Sequence, residues 1–362
     1  MKNKGLSRKL LAITMAATMS LGFCPAAFAE DRVDSDTIKA DNLPSSDVEV
    51  STEDGVEEEG KRTEYPLTVT TYDYDGNEVE TVYEKAPEKV VTVYQGSIET
   101  MLALGLKDHI AATAGLDNEV PEEMKAAFSE TNYLDEFTPS LETVTMLEPD
   151  MILSWGSIFA DDRLGNVTNW TEKGCNTYIN TNTRRGGTRT LENECTDILN
   201  LGMIFDVQGK AEAIVDDIRE VVNKTTEVAQ NMEEKPSVLI LEPYGEDISN
   251  YGAKSLGGDM AVQLGAELAN PDASSVGKED IIAANPDVIF VVYMPYAGDD
   301  PETVKESQMS AIADDEALQS LDAVKNGRIY PIMLSEMYAS ATRTRDGIET
   351  LAKGLYPDIE LD

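Results

Sequence analysis

The chain has 362 residues and one histidine, His109, set in a polar turn of Lys107-Asp108-His109. Imidazole is the usual general acid–base and the commonest ligand in catalytic zinc sites. No serine–histidine–acid set can be built around this one, so the chain reads as a non-enzyme. The glycine pairs Gly186-Gly187 and Gly257-Gly258 fit neither the G-x-G-x-x-G fingerprint nor P-loop spacing. What remains are side chains suited to holding a molecule. Tyr94, Gln95, Trp155, Tyr244, Tyr251, Tyr293, Tyr296, Met337 and Tyr338 each fall in or just beyond an apolar, strand-like run. Arg184 and Arg185 belong to a cluster with Arg189, and Arg343 follows a later strand. Aromatic rings give flat apolar contact with a polar edge, and a planar guanidinium matches carboxylate or phosphate. The chemistry expected is capture of a bulky, partly apolar ligand. The competing reading is plainer: each tyrosine packs on its own loop and each arginine pairs with a neighbouring acid.

Those residues need strands to deliver them. Leu67–Tyr72 and Val79–Tyr83 alternate around Asp75-Gly76-Asn77, which predicts a hairpin. Lys89–Tyr94, Ile110–Ala114, Met151–Trp155 and Asn176–Ile179 are short apolar runs separated by helical stretches, as in a buried parallel sheet. The plan recurs with strands at Ser237–Leu241, Val288–Tyr293 and Gly327–Ile332 and helices near 257–264, 313–321 and 342–354, with a polar loop expected over Asp299–Glu306. Between the two sets, Lys210–Glu234 carries apolar residues at helical spacing with no Gly or Pro. That predicts one helix of roughly 37 Å joining two lobes. In parallel α/β sheets ligands bind beyond the carboxyl ends of the strands, so the ligand cleft is expected between the lobes.

A formal charge of −39 excludes the basic footprint that nucleic-acid binding needs. Residues 1–29 have a basic start (Lys2, Lys4, Arg8, Lys9) and an apolar run too short for a confident membrane span, which predicts an export signal. Two ends compete: cleavage after Ala27-Phe28-Ala29, or lipidation of Cys24 in Leu21-Gly22-Phe23-Cys24, where Phe23 departs from the small residue a lipobox wants. Residues 30–62 hold twelve acids against four bases and few apolar residues, the composition of a disordered tether. Export permits a disulfide between Cys175 and Cys195, and two free buried thiols are the alternative. The expected division is signal 1–29, tether 30–62, lobe 63–205, linking helix 206–235 and lobe 236–362, acting as a monomer on the outer face of the membrane or in the periplasm.

One stretch occurs twice. Glu142 precedes Pro149-Asp150 by seven residues, Glu279 precedes Pro286-Asp287 by seven, and an apolar run follows each pair. With Pro87-Glu88-Lys89-Val90-Val91, Glu99…Ala103-Leu104-Gly105, Pro139-Ser140-Leu141-Glu142 and Asn326-Gly327-Arg328-Ile329-Tyr330, the ordered set resembles the substrate-binding proteins of iron-siderophore, haem and vitamin B12 ABC importers. The resemblance spans about Leu67 to Pro357. It implies two Rossmann-like lobes joined by one long rigid helix, with only small lobe movements. It also implies that Glu142 and Glu279 dock on arginines of the permease subunits, which work with an ATPase. The cargo is then a small-molecule metal chelate, with no resident cofactor or metal. A ferric siderophore is favoured over a corrinoid or haem, and the loop after Ala114 lacks a haem ligand. A sensor without a transporter is the further alternative.

Overall fold

Each lobe is built outward from one carboxylate of the repeated Pro-Asp pair. In the computed structural model, which describes residues 62–361 apart from 246, Asp150 accepts the backbone N–H groups of Glu88 and Lys89, both at 2.8 Å. Asp287 accepts the N–H and hydroxyl of Ser237 at 2.8 and 2.7 Å. Each Asp therefore fixes the start of its lobe's first sheet strand. The residue before each proline, Glu148 (φ 47°) or Asn285 (φ 40°), is left-handed. That conformation avoids the clash proline imposes on a right-handed neighbour and ends the short helix before it. The export signal, Cys24 and the acidic stretch before residue 62 lie outside the described residues.

The N-terminal lobe opens with the hairpin β1 (Leu67–Tyr72) and β2 (Glu78–Tyr83). Then follow β3 (Val90–Val93), α1 (Gln95–Ala103), β4 (Ile110–Ala114), α2 (Glu122–Phe128), α3 (Leu141–Met146), β5 (Met151–Ser154), α4 (Val167–Thr171), β6 (Asn176–Ile179) and α5 (Leu191–Ile204). Its sheet runs β4-β3-β5-β6, all parallel. Every residue of β3 and β5 is buried, as continuous apolar strands covered on both faces should be.

Helix α6 (Gln208–Gln230) follows, ending four residues before the sequence limit. Its buried stripe of Ala211, Val215, Ile218, Val221, Thr225 and Ala229 packs against α5 of the first lobe and α11 (Thr344–Leu355) of the second. One apolar core runs through this helix, from Val90 and Met151 to Val238, Phe290 and Leu351. The lobes thus share a core beneath their cleft.

The C-terminal lobe has β7 (Ser237–Tyr244), β8 (Asp247–Asn250), α7 (Leu256–Gln263), β9 (Glu267–Leu268), α8 (Lys278–Ala284), β10 (Val288–Tyr293), α9 (Pro301–Ala313), α10 (Asp322–Lys325) and β11 (Ile329–Met333) before α11. Strands β11-β10-β7 are parallel, and the short β8 and β9 share the remaining edge of β7. Two expectations are corrected. Most of the stretch Asp299–Glu306, read as polar loop, lies in α9, started by the Asp300 carboxylate on Thr303 N–H and by Pro301. The expected helix at 313–321 is instead a 3-10 turn at Glu316–Leu318 leading into α10. Cys175 and Cys195 are free and buried, and burial pushes both thiols up to about 12.

Candidate functional site

The carboxyl ends of the strands from both lobes converge on a cleft with two compartments. The inner one is small, about 40 Å³, and is lined by Gln95, Asp117, Trp155, Met294, Ser335 and Tyr338 among others. The outer one is about 540 Å³ and is lined by Tyr74, Gly156, Ser157, Thr183, Arg184, Arg185, Gly186, Gly187, Arg189 and Lys254. An aromatic wall links them. Trp155 lies 6.1 Å from Tyr338, ring to ring, and Arg189 stacks 4.3 Å over Tyr338. Behind Trp155, at 5.1 Å, stands Tyr94.

The outer compartment is lined by four cationic side chains and no acid, in a chain with 68 acids against 29 bases. Arg184 is held 4.5 Å over the Tyr72 ring, and its Nε is buried without a hydrogen bond. Arg185 lies 5.7 Å from the Tyr74 ring and pairs loosely with Asp75 at 3.5 Å. The Arg189 Nε–H donates to the Asn182 carbonyl at 3.1 Å. Stacking on rings positions the Arg184 and Arg189 guanidinium groups without neutralising them.

Tyr94 carries the most strained backbone in the site, at φ 72° and ψ 155°, a region all but reserved for glycine. It is held there by its N–H on the Ala114 carbonyl, by Arg163 donating to its hydroxyl at 3.2 Å, and by contact with Thr138, Phe137 and Trp155. Gly115 lies directly beneath the ring, where a Cβ would stand 2.9 Å from it. Being buried, Tyr94 supports Trp155 from behind.

Tyr244, Tyr251 and Tyr296 of the C-terminal lobe gather about Glu242. Tyr251 donates to its carboxylate at 2.5 Å, while Tyr244 and Tyr296 are more than half exposed. Burial, reinforced by Glu242, raises the phenols of Tyr244 and Tyr251, and burial likewise raises Tyr293 and Tyr296. They stand as neutral hydrogen-bond donors at physiological pH. Tyr293 sits at the end of β10 near Glu336 and near Lys305 and Glu302 of α9.

Two residues singled out as contacts from the sequence are placed otherwise. Met337 is fully buried against Gly257, whose added Cβ would lie 2.9 Å from its methyl carbon. Arg343 has all its N–H groups engaged: two on Glu99 at 2.7 and 2.6 Å, one on the Glu119 carbonyl, one on Ser335 and one towards the Met333 sulfur. Its donors are taken up inside the protein. Lys254, Tyr74 and Asp117 join the lining without having been read from sequence, because nothing local marks a loop residue that folding brings near the cleft.

A bilobed α/β body with parallel sheets, one connecting helix and a cleft of rings and cations defines a capture protein. The chain belongs to the periplasmic binding protein family, whose profile matches residues 90–333. That family consists of substrate-binding proteins rather than enzymes, the class the ordered motifs resembled. A periplasmic binding protein from Veillonella parvula superposes with a TM-score of 0.76 at 30% identity, covering 82% of this chain and 93% of that one. The petrobactin-binding protein YclQ of Bacillus subtilis is 25% identical over 280 residues, 74% of this chain and 80% of YclQ. An ABC transporter substrate-binding lipoprotein of the same organism, YvrC, is 22% identical over 81% of this chain and 87% of its own. No helix among the described residues is long and apolar enough to cross a membrane.

Proposed function

We propose that this protein captures a bulky anionic ferric siderophore outside the cytoplasmic membrane and delivers it to an ABC importer. One observation carries the reading: Arg184, Arg185, Arg189 and Lys254 line a basin of about 540 Å³ beside the Trp155–Tyr338 wall, in a chain of charge −39. An acidic protein that gathers cations around a hollow concentrates anions there. The rings stack on the flat faces of the chelate, while the guanidinium forks take its outward oxygens. The siderophore ligand of YclQ is in keeping with this.

Tryptophan-fluorescence titration with a ferric tris-catecholate, a neutral ferric hydroxamate, haemin and cyanocobalamin tests it. The catecholate is expected to bind most tightly, and Arg184→Ala with Arg189→Ala to weaken it at least tenfold. Failure of every compound below about micromolar, near −8 kcal/mol, would sink the reading. Tightest binding of cyanocobalamin or haemin would replace the siderophore with a corrinoid or haem.

Delivery is assigned to Glu142 and Glu279. Both are exposed, and neither has an ion-pair partner among the described residues. Beside them, Leu141 and Met146 on α3 and Ile282 on α8 are exposed apolar residues. An acid flanked by apolar surface suits an arginine set in a protein interface. Export and possible anchorage are tested by mass spectrometry of the mature N-terminus, which distinguishes a lipidated Cys24 from a chain beginning at Glu30.

A further inference from the structure

Helix α1 carries a carboxylate in the middle of the protein. Glu99 is fully buried, one turn after Gln95, and its two oxygens take a two-pronged contact from Arg343 in the other lobe. Gln95 completes the arrangement. Its amide nitrogen donates to Glu99 at 2.5 Å, and its carbonyl oxygen accepts the N–H groups of Asp117 and Asn118 at 3.1 and 3.3 Å. The Asp117 carbonyl in turn accepts from Ala297 N–H of the second lobe at 3.0 Å. A continuous polar chain therefore crosses the cleft floor between lobes.

We propose that Glu99 and Arg343 form a positioning clasp that sets the separation of the lobes, and through it the affinity of the cleft, without either residue touching the ligand. The proposal rests on the cleft being the ligand site. Its first support is geometric. A fork-to-fork contact fixes both distance and orientation, whereas apolar surfaces of similar area can slide. Its second is the strap that brings Arg343 there. Ala339 and Ala341 both have positive φ (55° and 49°), an unfavourable conformation for alanine. The strap rests on the first turn of α1, where a Cβ on Gly96 would lie 3.0 Å from the Ala339 carbonyl oxygen. Glu194 of α5 fixes it from the other side by accepting Ala341 N–H at 2.8 Å. Strained backbone persists only where its surroundings over-determine it, and here the surroundings belong to the opposite lobe. Its third support is that stability alone does not account for the pair. Well-packed apolar residues can replace a buried ion pair at no loss. A buried pair that joins two lobes instead fixes their relative orientation.

The test uses the whole protein and two readouts. Glu99→Met with Arg343→Met removes both charges at similar volume. It is expected to keep the melting temperature within a few degrees, to raise the radius of gyration of the unliganded protein in small-angle scattering, and to weaken binding of the ferric tris-catecholate at least tenfold. Arg343→Lys keeps the charge but not the fork, and the same direction of change is expected in both readouts. It decides the matter if the double variant does not fold. Wild-type scattering and affinity within twofold of wild type in a folded variant would overturn the clasp. Scattering needs no ligand, so wild-type protein that binds no ferric chelate would remove the siderophore reading and leave the clasp to be judged on scattering.

Discussion

The two Glu…Pro-Asp corners reach one geometry through different side chains. In the N-terminal lobe, Ser140 caps α3 on Thr143 N–H, and Glu136, from upstream, accepts the Ser140 N–H at 2.7 Å. In the C-terminal lobe the capping position is Gly277, and Asp280, from within α8, accepts its N–H at 2.8 Å. Asp150 holds two backbone groups, whereas Asp287 holds one backbone group and a hydroxyl that is returned by its own N–H at 3.0 Å. The features alike in both are the glutamate, the left-handed residue, the proline and the aspartate. Helix capping, which any of several groups can supply, is where they differ. Residues with a single structural solution are thus separable from those with many. The glutamate is the exception, because its carboxylate has no hydrogen bond or ion pair among the described residues that would require it.

That exception gives the largest expected effect. Glu142→Ala with Glu279→Ala should leave affinity for the ferric tris-catecholate within twofold and abolish stimulation of the transporter's ATPase in reconstituted vesicles. Each single variant should retain part of the stimulation. Full stimulation by the double variant would make the two glutamates ordinary helix-start acids. Unequal single variants would show that the lobes dock asymmetrically.

Next come the aspartates. Asp150→Ala strands the N–H groups of Glu88 and Lys89, and Asp287→Ala strands the N–H and hydroxyl of Ser237. Because water reaches both corners, each should cost about 1–2 kcal/mol in chemical denaturation. Ser237→Ala removes half of the second set and has no counterpart in the first lobe, so it should cost less than Asp287→Ala. Equal costs for all three would mean that solvent replaces these bonds freely.

The corners and the strand-end aromatics were legible in sequence because each is local: an apolar run, its terminator and the next few residues. The outline of two α/β lobes and a joining helix followed from the same signals. The clasp was not legible. Glu99 and Arg343 are 244 positions apart, and a sequence shows that Arg343 is charged but not what faces it, so it read as a ligand contact. Helix α9 escaped for a different reason. Only Ile312 is fully buried along it, leaving no apolar period to detect, although Asp300-Pro301 is a helix-start signal. Lys254 comes from a loop of the second lobe and joins the arginine basin only through the folding of both lobes.

Each lobe also places a titrating carboxyl at their shared boundary. Burial raises Glu194 on α5 from 4.5 to about 7, and burial with nearby Asp346 raises Glu336 in the second lobe to about 7. A carboxyl raised in the folded state binds protons that the unfolded chain has released. Its contribution is full below about 4.5 and is lost as pH rises through 7. Melting temperature should therefore fall between about pH 4.5 and 7 and level off above. Glu194→Gln should flatten that fall by on the order of 2 kcal/mol, since the general charge repulsion is common to both proteins. A parallel pH curve for the variant would place the titration elsewhere.

The smallest effect returns to the caps and asks how far the two corners are interchangeable. Ser140→Ala removes the oxygen that accepts Thr143 N–H and should cost about 1 kcal/mol, while Ser140→Gly should cost a few tenths. Gly277 has φ −88° and room for a Cβ, with Asp280 at an ordinary 3.5 Å. Gly277→Ser should therefore be accepted and stabilise the second lobe slightly, giving α8 the cap that α3 already has. Urea denaturation of the three variants checks this. If Gly277→Ser destabilises instead, the Asp280 contact depends on glycine, and the second corner is a distinct solution rather than an uncapped copy of the first.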